Sequence, residues 1–232
     1  QGAAEEVLRL LQAQDFFAGS HVLGIQPLPD QDWVRLTQSQ FTPVAITDDF
    51  WIVPSWHETP AQAKHLIRLD PGLAFGTGTH PTTCMCLRWL ARHPDVRGAR
   101  VLDYGCGSGI LAIGAAQFDA SLIDAVDIDP AAVTATNDNA SNNAVSVRCG
   151  LPDMVEPTQG SYNIVLANIL ASPLKVLASL LCAHVAPGGH LVLAGILERQ
   201  TQELQQAYAP YLQLTVADTQ DGWVLLTGQR PA

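Results

Sequence analysis

The stretch "VLDYGCGSGILAI", residues 101–113, is an apolar run, a turn built on three glycines, and a second apolar run. A strand, a glycine turn and a helix in that order are what an α/β sheet uses at its ligand-binding edge. The three glycines, Gly105, Gly107 and Gly109, are spaced G-x-G-x-G. A dinucleotide fingerprint is G-x-G-x-x-G and would put its third glycine at position 110, where this chain has Ile110. That mismatch disfavours a nicotinamide-dependent oxidoreductase. A ligand without phosphates needs only close approach to the backbone, which glycines permit. Asp127 closes the run LIDAVD at 122–127, where a carboxylate can accept hydrogen bonds from both hydroxyls of a ribose. Turn and acid together suit an adenosine ligand that carries no phosphate.

Outward from this stretch the chain alternates short apolar or β-branched runs with helical ones. A helix is expected at 82–92, a strand at 100–104, helices at 108–118 and 130–141, and strands VSVRC and NIVLA. Helix 173–184, strand HLVLA, helix 198–208 and the runs LQLTVAD and WVLLTG complete the series. Such alternation predicts a parallel sheet with helices on both faces. The last two runs have no helix between them and are joined through Thr219 to Gly222, so they should form a hairpin. The expectation is an α/β fold with a seven-stranded, mostly parallel sheet containing one antiparallel strand. Asn168 follows NIVLA directly, and Gly105, Asp127 and Asn168 then all fall at carboxyl ends of strands. Strand order reverses between the first and fourth strands, and open sheets bind ligands at that switch point.

Before residue 82 the pattern is less regular. Residues 3–14 read as an amphipathic helix, HVLGI as a strand, and residues 32–39 as a short helix. The Pro-Leu-Pro-Asp run at 27–30 marks a boundary, and PVAI, FWIVP and HLIRL resemble strands. "LDPGLAFGTGTHPTT", 69–83, is rich in glycine, proline and threonine and is expected to form a loop. The chain's start lacks the basic and apolar regions of a secretory leader. It opens on Gln1 rather than Met, so a fragment or a processed form is expected.

Hydrophobic residues make up 47% and charged residues 15% of the 232, which supports a large core. No apolar run is long enough to span a membrane. Twelve Lys and Arg face 22 Asp and Glu, a net charge of −10. That balance disfavours a nucleic-acid surface, which needs clustered cations. The five cysteines, Cys84, Cys86, Cys106, Cys149 and Cys182, contain no CxxC pair and read as reduced thiols in a cytoplasmic protein.

The runs DPGLAFGTGTHPTT, VLDYGCGSGILAI, AVDIDPAAV and IVLANIL, in this order and spacing, resemble the family of methyltransferases that act on large-subunit ribosomal protein eleven. The likeness spans about residues 30–230. It implies a Rossmann-like class I methyltransferase fold and an S-adenosylmethionine-dependent protein N-methyltransferase. Its substrate would be the lysine side-chain and N-terminal α-amines of ribosomal protein eleven, in the cytoplasm, with no direct contact to nucleic acid or membrane and a monomeric enzyme. By the same resemblance Thr83, Gly105, Asp127 and Asn168 are the cofactor-binding positions. No metal is expected. The family carries a substrate-recognition domain at its front, so residues 1–29 are expected to be a remnant of that domain or an arm. Residues 30–69 are then a linker and flanking segment, and 70–232 the methyltransferase domain.

Methyl transfer to an amine needs a neutral nucleophile held in line with the leaving group. A lysine with pKa near 10.4 is about 0.1% neutral at pH 7.4, and an α-amine near 7.7–8.0 is substantially so. Asn168 is the candidate catalytic residue: its side-chain carbonyl can accept a hydrogen bond from the amine and aim the lone pair. The 70–83 run would form a lid, with Phe75 shielding the cofactor and Thr83 in the following helix. His80 beside Pro81 reads as structural, Cys106 as a packing residue, and Asp129 as the cap of a helix that Pro130 begins. Trp51 and Trp56 read as either a ligand wall or packing residues. A nucleic-acid adenine methyltransferase would show Asn-Pro-Pro-Tyr where this chain has Asn-Ile-Leu, and a module that binds the cofactor without turnover is the structural alternative.

Overall fold

The structure is a computed structural model describing residues 41–70, 78–155 and 161–232. The elements expected before residue 41, and residues 71–77 of the proposed lid, Phe75 among them, lie outside the described residues. Residues Phe41–Ala232 form one compact unit.

Its centre is a seven-stranded sheet. The strands are β4 (Arg100–Tyr104), β5 (Leu122–Val126), β6 (Arg148–Gly150), β7 (Tyr162–Asn168), β8 (Val185–Leu197), β9 (Thr215–Gln220) and β10 (Trp223–Gln229). Their order is β6-β5-β4-β7-β8-β10-β9, and β10 runs antiparallel to both its neighbours. The β9–β10 hairpin turns at Asp221 and Gly222, both with positive φ, as the sequence led one to expect. The reversal of strand order falls between β4 and β7, which are hydrogen-bonded neighbours.

Helices α1 (Pro81–Arg92), α2 (Ile110–Gln117) and α3 (Pro130–Asn142) alternate with the first strands; α4 (Ala171–Val176), α5 (Ala178–His184) and α6 (Thr201–Tyr208) follow β7 and β8. Two buried clusters result: one joins Leu87, Leu90 and Ile113, the other Leu174, Leu181, Leu204 and Tyr208. α2, ILAIGAAQ, is apolar on every side and is accordingly buried. Asp129 caps α3 by accepting from Ala131 N at 2.9 Å, with Pro130 in the first turn. The helix expected over 173–184 starts earlier and is interrupted at Leu177, whose ψ is 5°.

A second sheet, β1 (Val44–Ala45), β2 (Phe50–Val53) and β3 (His65–Arg68), packs Phe50, Ile52 and Ile67 into the first cluster. Side-chain amides satisfy the outer edge of β3: Gln117 Oε1 accepts from Leu66 N at 3.2 Å, and Asn143 Oδ1 accepts from Arg68 N at 2.7 Å. Polar groups that would otherwise leave the edge unpaired are thereby bonded to the main unit. In the seven-stranded sheet, fully buried Asp124 of β5 is held by Arg148 Nε and Nη2 and by the Tyr162 hydroxyl, each at 2.6 Å. A buried carboxylate needs such pairing to offset its desolvation.

Candidate functional site

Three turns leave the carboxyl edge of the sheet side by side. β4 ends at Tyr104, and Gly105 turns at φ +84°, its amide donating to Val126 O of β5 at 2.8 Å. A β-carbon on Gly105 would lie 2.3 Å from Ile169 Cγ2, so the residue after Asn168 already fills the space a side chain would take. Next along the edge, Asp127 accepts from Gly107 N at 2.9 Å through Oδ2 and from Asp129 N at 3.0 Å through Oδ1. Each oxygen keeps a further lone pair. At the end of β7, Asn168 Nδ2 donates to Thr83 Oγ1 at 3.3 Å, and Thr83 is buried in the first turn of α1. Thr83, Asn168, Gly105 and Asp127 therefore form one connected group, reached from α1, β7, β4 and β5.

His80 is the N-cap of α1: its Nδ1 lies 2.8 Å from Thr82 Oγ1, and its ring meets Trp223 edge-on at 4.8 Å. Cys106 is buried, accepts from Thr136 Oγ1 at 3.3 Å and lies 3.9 Å from Cys149 Sγ. Hydrogen bonding to Cys149 and burial both push its thiol pKa up, the opposite of what a nucleophile needs. Trp51 Nε1 donates to Asp48 O within its own hairpin.

Two features of the site were not singled out from the sequence. Asp103, 1% exposed in β4, accepts from Ala112 N of α2 at 3.1 Å. Gly109, the N-cap of α2, has no side chain to offer, so Asp103 supplies that bond from the strand. Its other oxygen, Oδ1, is buried without a partner. Burial pushes the Asp103 carboxyl up to about 7; the Ala112 amide opposes this and the charge of Asp127 adds to it. A buried acceptor left unpaired beside the glycine turn could be complemented by a ligand that brings a donor or a positive charge. The signal was an acid in the middle of the strand run RVLDY, a position where only apolar residues bury cheaply. The second feature is a pair of exposed apolar side chains: Ile128, 82% exposed, follows Asp127, and Leu170, 71% exposed, follows Ile169. They offer apolar surface on either side of the glycine turn.

Asp103 carries a pH prediction. Between its unfolded pKa of 3.8 and about 7 the folded chain holds this proton while the unfolded chain has released it. Stability therefore falls as pH rises through that window, and the full penalty is present above it. Asp103→Asn, which keeps an acceptor for Ala112 N, is expected to gain about 3 kcal/mol relative to wild type between pH 5 and pH 8. Urea unfolding of both proteins at the two pH values measures it; an equal difference at both would mean Asp103 titrates as an ordinary carboxylate.

Known proteins align with the chain over nearly its whole length. The family model described as ribosomal protein L11 methyltransferase matches residues 1–231. The ribosomal protein L11 methyltransferase of Polaromonas sp. is 65% identical over 228 residues, which cover 97% of this chain and 76% of that protein. The protein of the same name from Bordetella parapertussis is 53% identical, over 90% of this chain and 70% of its own. Among solved structures, the ribosomal protein L11 methylase of Lactobacillus delbrueckii subsp. bulgaricus superposes with a TM-score of 0.75 at 31% identity. The match covers 83% of this chain and 100% of that one. A 16S rRNA methyltransferase of T. thermophilus, solved with AdoMet and guanosine, shares the fold at 19% identity and a TM-score of 0.57. With a glycine turn, an acid and an asparagine brought to one edge of a 3-2-1-4-5-7-6 sheet, and with these matches, the chain belongs to the ribosomal protein L11 methyltransferase family.

Proposed function

We propose that this methyltransferase, acting as a monomer in the cytoplasm, moves methyl groups from S-adenosylmethionine to the lysine side-chain and N-terminal α-amines of ribosomal protein L11. Residues 70–232 serve as the methyl-transfer domain. Among the described residues no helix is long and apolar enough to cross a membrane. The observation that carries the reading is the amide of Asn168. Its Nδ2 is tied to Thr83 Oγ1, which leaves the carbonyl Oδ1 at the edge of the sheet to accept from another donor.

The residues fit S-adenosylmethionine. Beside the glycine turn, Asp127 keeps a lone pair on each oxygen for two ribose hydroxyls. The unpaired Asp103 Oδ1 complements a ligand that carries ammonium and sulfonium charges. When bound, this cofactor supplies an electrophilic methyl group on a positively charged sulfur. Gly105, Gly107 and Asp127 would hold its nucleoside end, and Ile128 would cover the base with apolar surface. Asn168 Oδ1 accepts an N–H of the incoming amine and aims the remaining lone pair at the reacting carbon. Neutral amine is scarce for lysine, so Asn168 orients without acting as a base, and desolvation at the closed site raises the neutral fraction.

Calorimetry with S-adenosylmethionine, followed by mass spectrometry of added ribosomal protein L11, tests the proposal. Binding with mass gains in whole methyl groups is expected. Binding without transfer would reduce the chain to a cofactor-binding module, and no binding would overturn the reading of the site.

A further inference from the structure

Helix α1 has a second cluster of polar side chains at its other end. His93, the C-cap of α1, lies about 15 Å along the helix axis from Thr83. Asp95 follows in the 3-10 turn Pro94–Val96, and His190 stands on β8. His190 Nε2 is 3.2 Å and His93 Nδ1 3.9 Å from Asp95 Oδ2, and the two imidazole rings are 4.4 Å apart. All three donor atoms lie within 4.8 Å of one another, the only such group among the described residues.

A hydrogen bond between His190 and Asp95 accounts for two of the three residues. It leaves His93 Nδ1 buried without a hydrogen-bond partner, Asp95 Oδ2 being 3.9 Å away. The His93 ring cannot easily turn away, because Trp89 stacks on it at 4.2 Å and 21°. Burial, reinforced by the neighbouring His190 and opposed by the charge of Asp95, holds the His93 pKa below the usual imidazole value. Arg97, two positions beyond Asp95, is engaged with Asp119 at 3.0 Å. The last carbonyls of α1 add partial negative charge at this end of the helix.

From these residues we propose that His93, Asp95 and His190 form a binding site for one divalent late transition-metal cation, Zn²⁺ by preference, with water completing the coordination. Two imidazoles and one carboxylate make a three-ligand zinc set with an open position. Tetrahedral zinc places donor atoms about 3.3 Å apart. The His190–Asp95 separation is already at that value, and the 60% exposed Asp95 side chain can close its 3.9 Å separation from His93; the two imidazoles would draw together by a rotation of their rings. Asp95 and His190 also line a cleft of 370 Å³, through which the ion and its water would exchange. The bound ion would clip the C-terminal end of α1 to β8, and so brace the helix whose first turn carries Thr83.

The test is calorimetry of the chelator-stripped chain with zinc sulfate, together with visible absorption on adding Co²⁺. One equivalent bound in the micromolar range or tighter, with cobalt d–d bands, is the expected result. His93→Ala and Asp95→Asn should each weaken binding by more than about tenfold, the loss that even an outer-shell partner causes. Cys149→Ser should leave binding unchanged. Circular dichroism of the metal-free variants establishes that each is folded; Asp95→Asn alters an exposed side chain and stays informative if His93→Ala does not fold. No saturable binding, binding unaffected by these substitutions, or a thiolate-to-cobalt charge-transfer band would overturn the assignment, the last by placing the ion on cysteines.

Discussion

Replacing Asn168 with alanine is expected to lower turnover by about 10²–10³-fold while changing the S-adenosylmethionine dissociation constant only a few-fold. A single preorganised hydrogen-bonding group acting on the reacting atoms is worth that much in catalysis. The asymmetry follows from the proposed roles: Asn168 donates to Thr83, which under the proposal leaves its carbonyl for the amine, whereas Gly105, Gly107 and Asp127 would hold the cofactor. Thr83→Val should cost less, about tenfold, because it releases the amide of Asn168 without removing the acceptor. Single-turnover methylation of ribosomal protein L11 separates the two quantities when paired with calorimetry. If cofactor binding were lost and turnover at saturation stayed unchanged, Asn168 would belong to the cofactor pocket alone.

The parts of this site that were legible in the sequence are those fixed by local backbone needs. Gly105 to Gly109 announces a strand-to-helix turn, Asp129-Pro130 announces a helix start, and the missing helix between the last two runs announces the antiparallel strand. What stayed hidden depends on contacts between residues far apart. The edge of β3 is completed by Gln117 and Asn143, about 50 and 75 positions away, which no sequence window contains. β9 begins at Thr215, three residues into the run LQLTVAD, because Leu212 and Leu214 turn into the core as the connection from α6. β8 begins at Val185, ahead of HLVLA, since Pro187, Gly188 and Gly189 read as a turn yet continue the strand. Asp103 was hidden for a different reason: its value lies in an oxygen that nothing pairs, and a lack of partners leaves no trace in sequence spacing.

The same distinction governs Gly195, whose replacement by alanine is expected to destabilise the fold by about 2–4 kcal/mol and to cut turnover sharply. Gly195 lies on β8 next to Ala194, the register partner of Asn168, with φ at +82°. Left-handed backbone alone costs an L-residue about 1–2 kcal/mol. In addition, a β-carbon there would lie 2.2 Å from Ile169 O and 2.8 Å from Ile169 C. These are backbone atoms, so no rotamer change relieves the overlap, and the segment that carries Asn168 must move. Ile169 is thus held from two sides, its main chain against Gly195 and its Cγ2 against Gly105. The two glycines can be told apart by a second substitution. Ile169→Ala should recover part of the loss in Gly105→Ala, where the obstacle is a side-chain methyl. It should recover nothing in Gly195→Ala, where the obstacle is the peptide. Urea unfolding and single-turnover rates of the two singles and two doubles give the comparison. Equal rescue at both sites would mean that Asn168 is not positioned by the passage of Ile169 over Gly195.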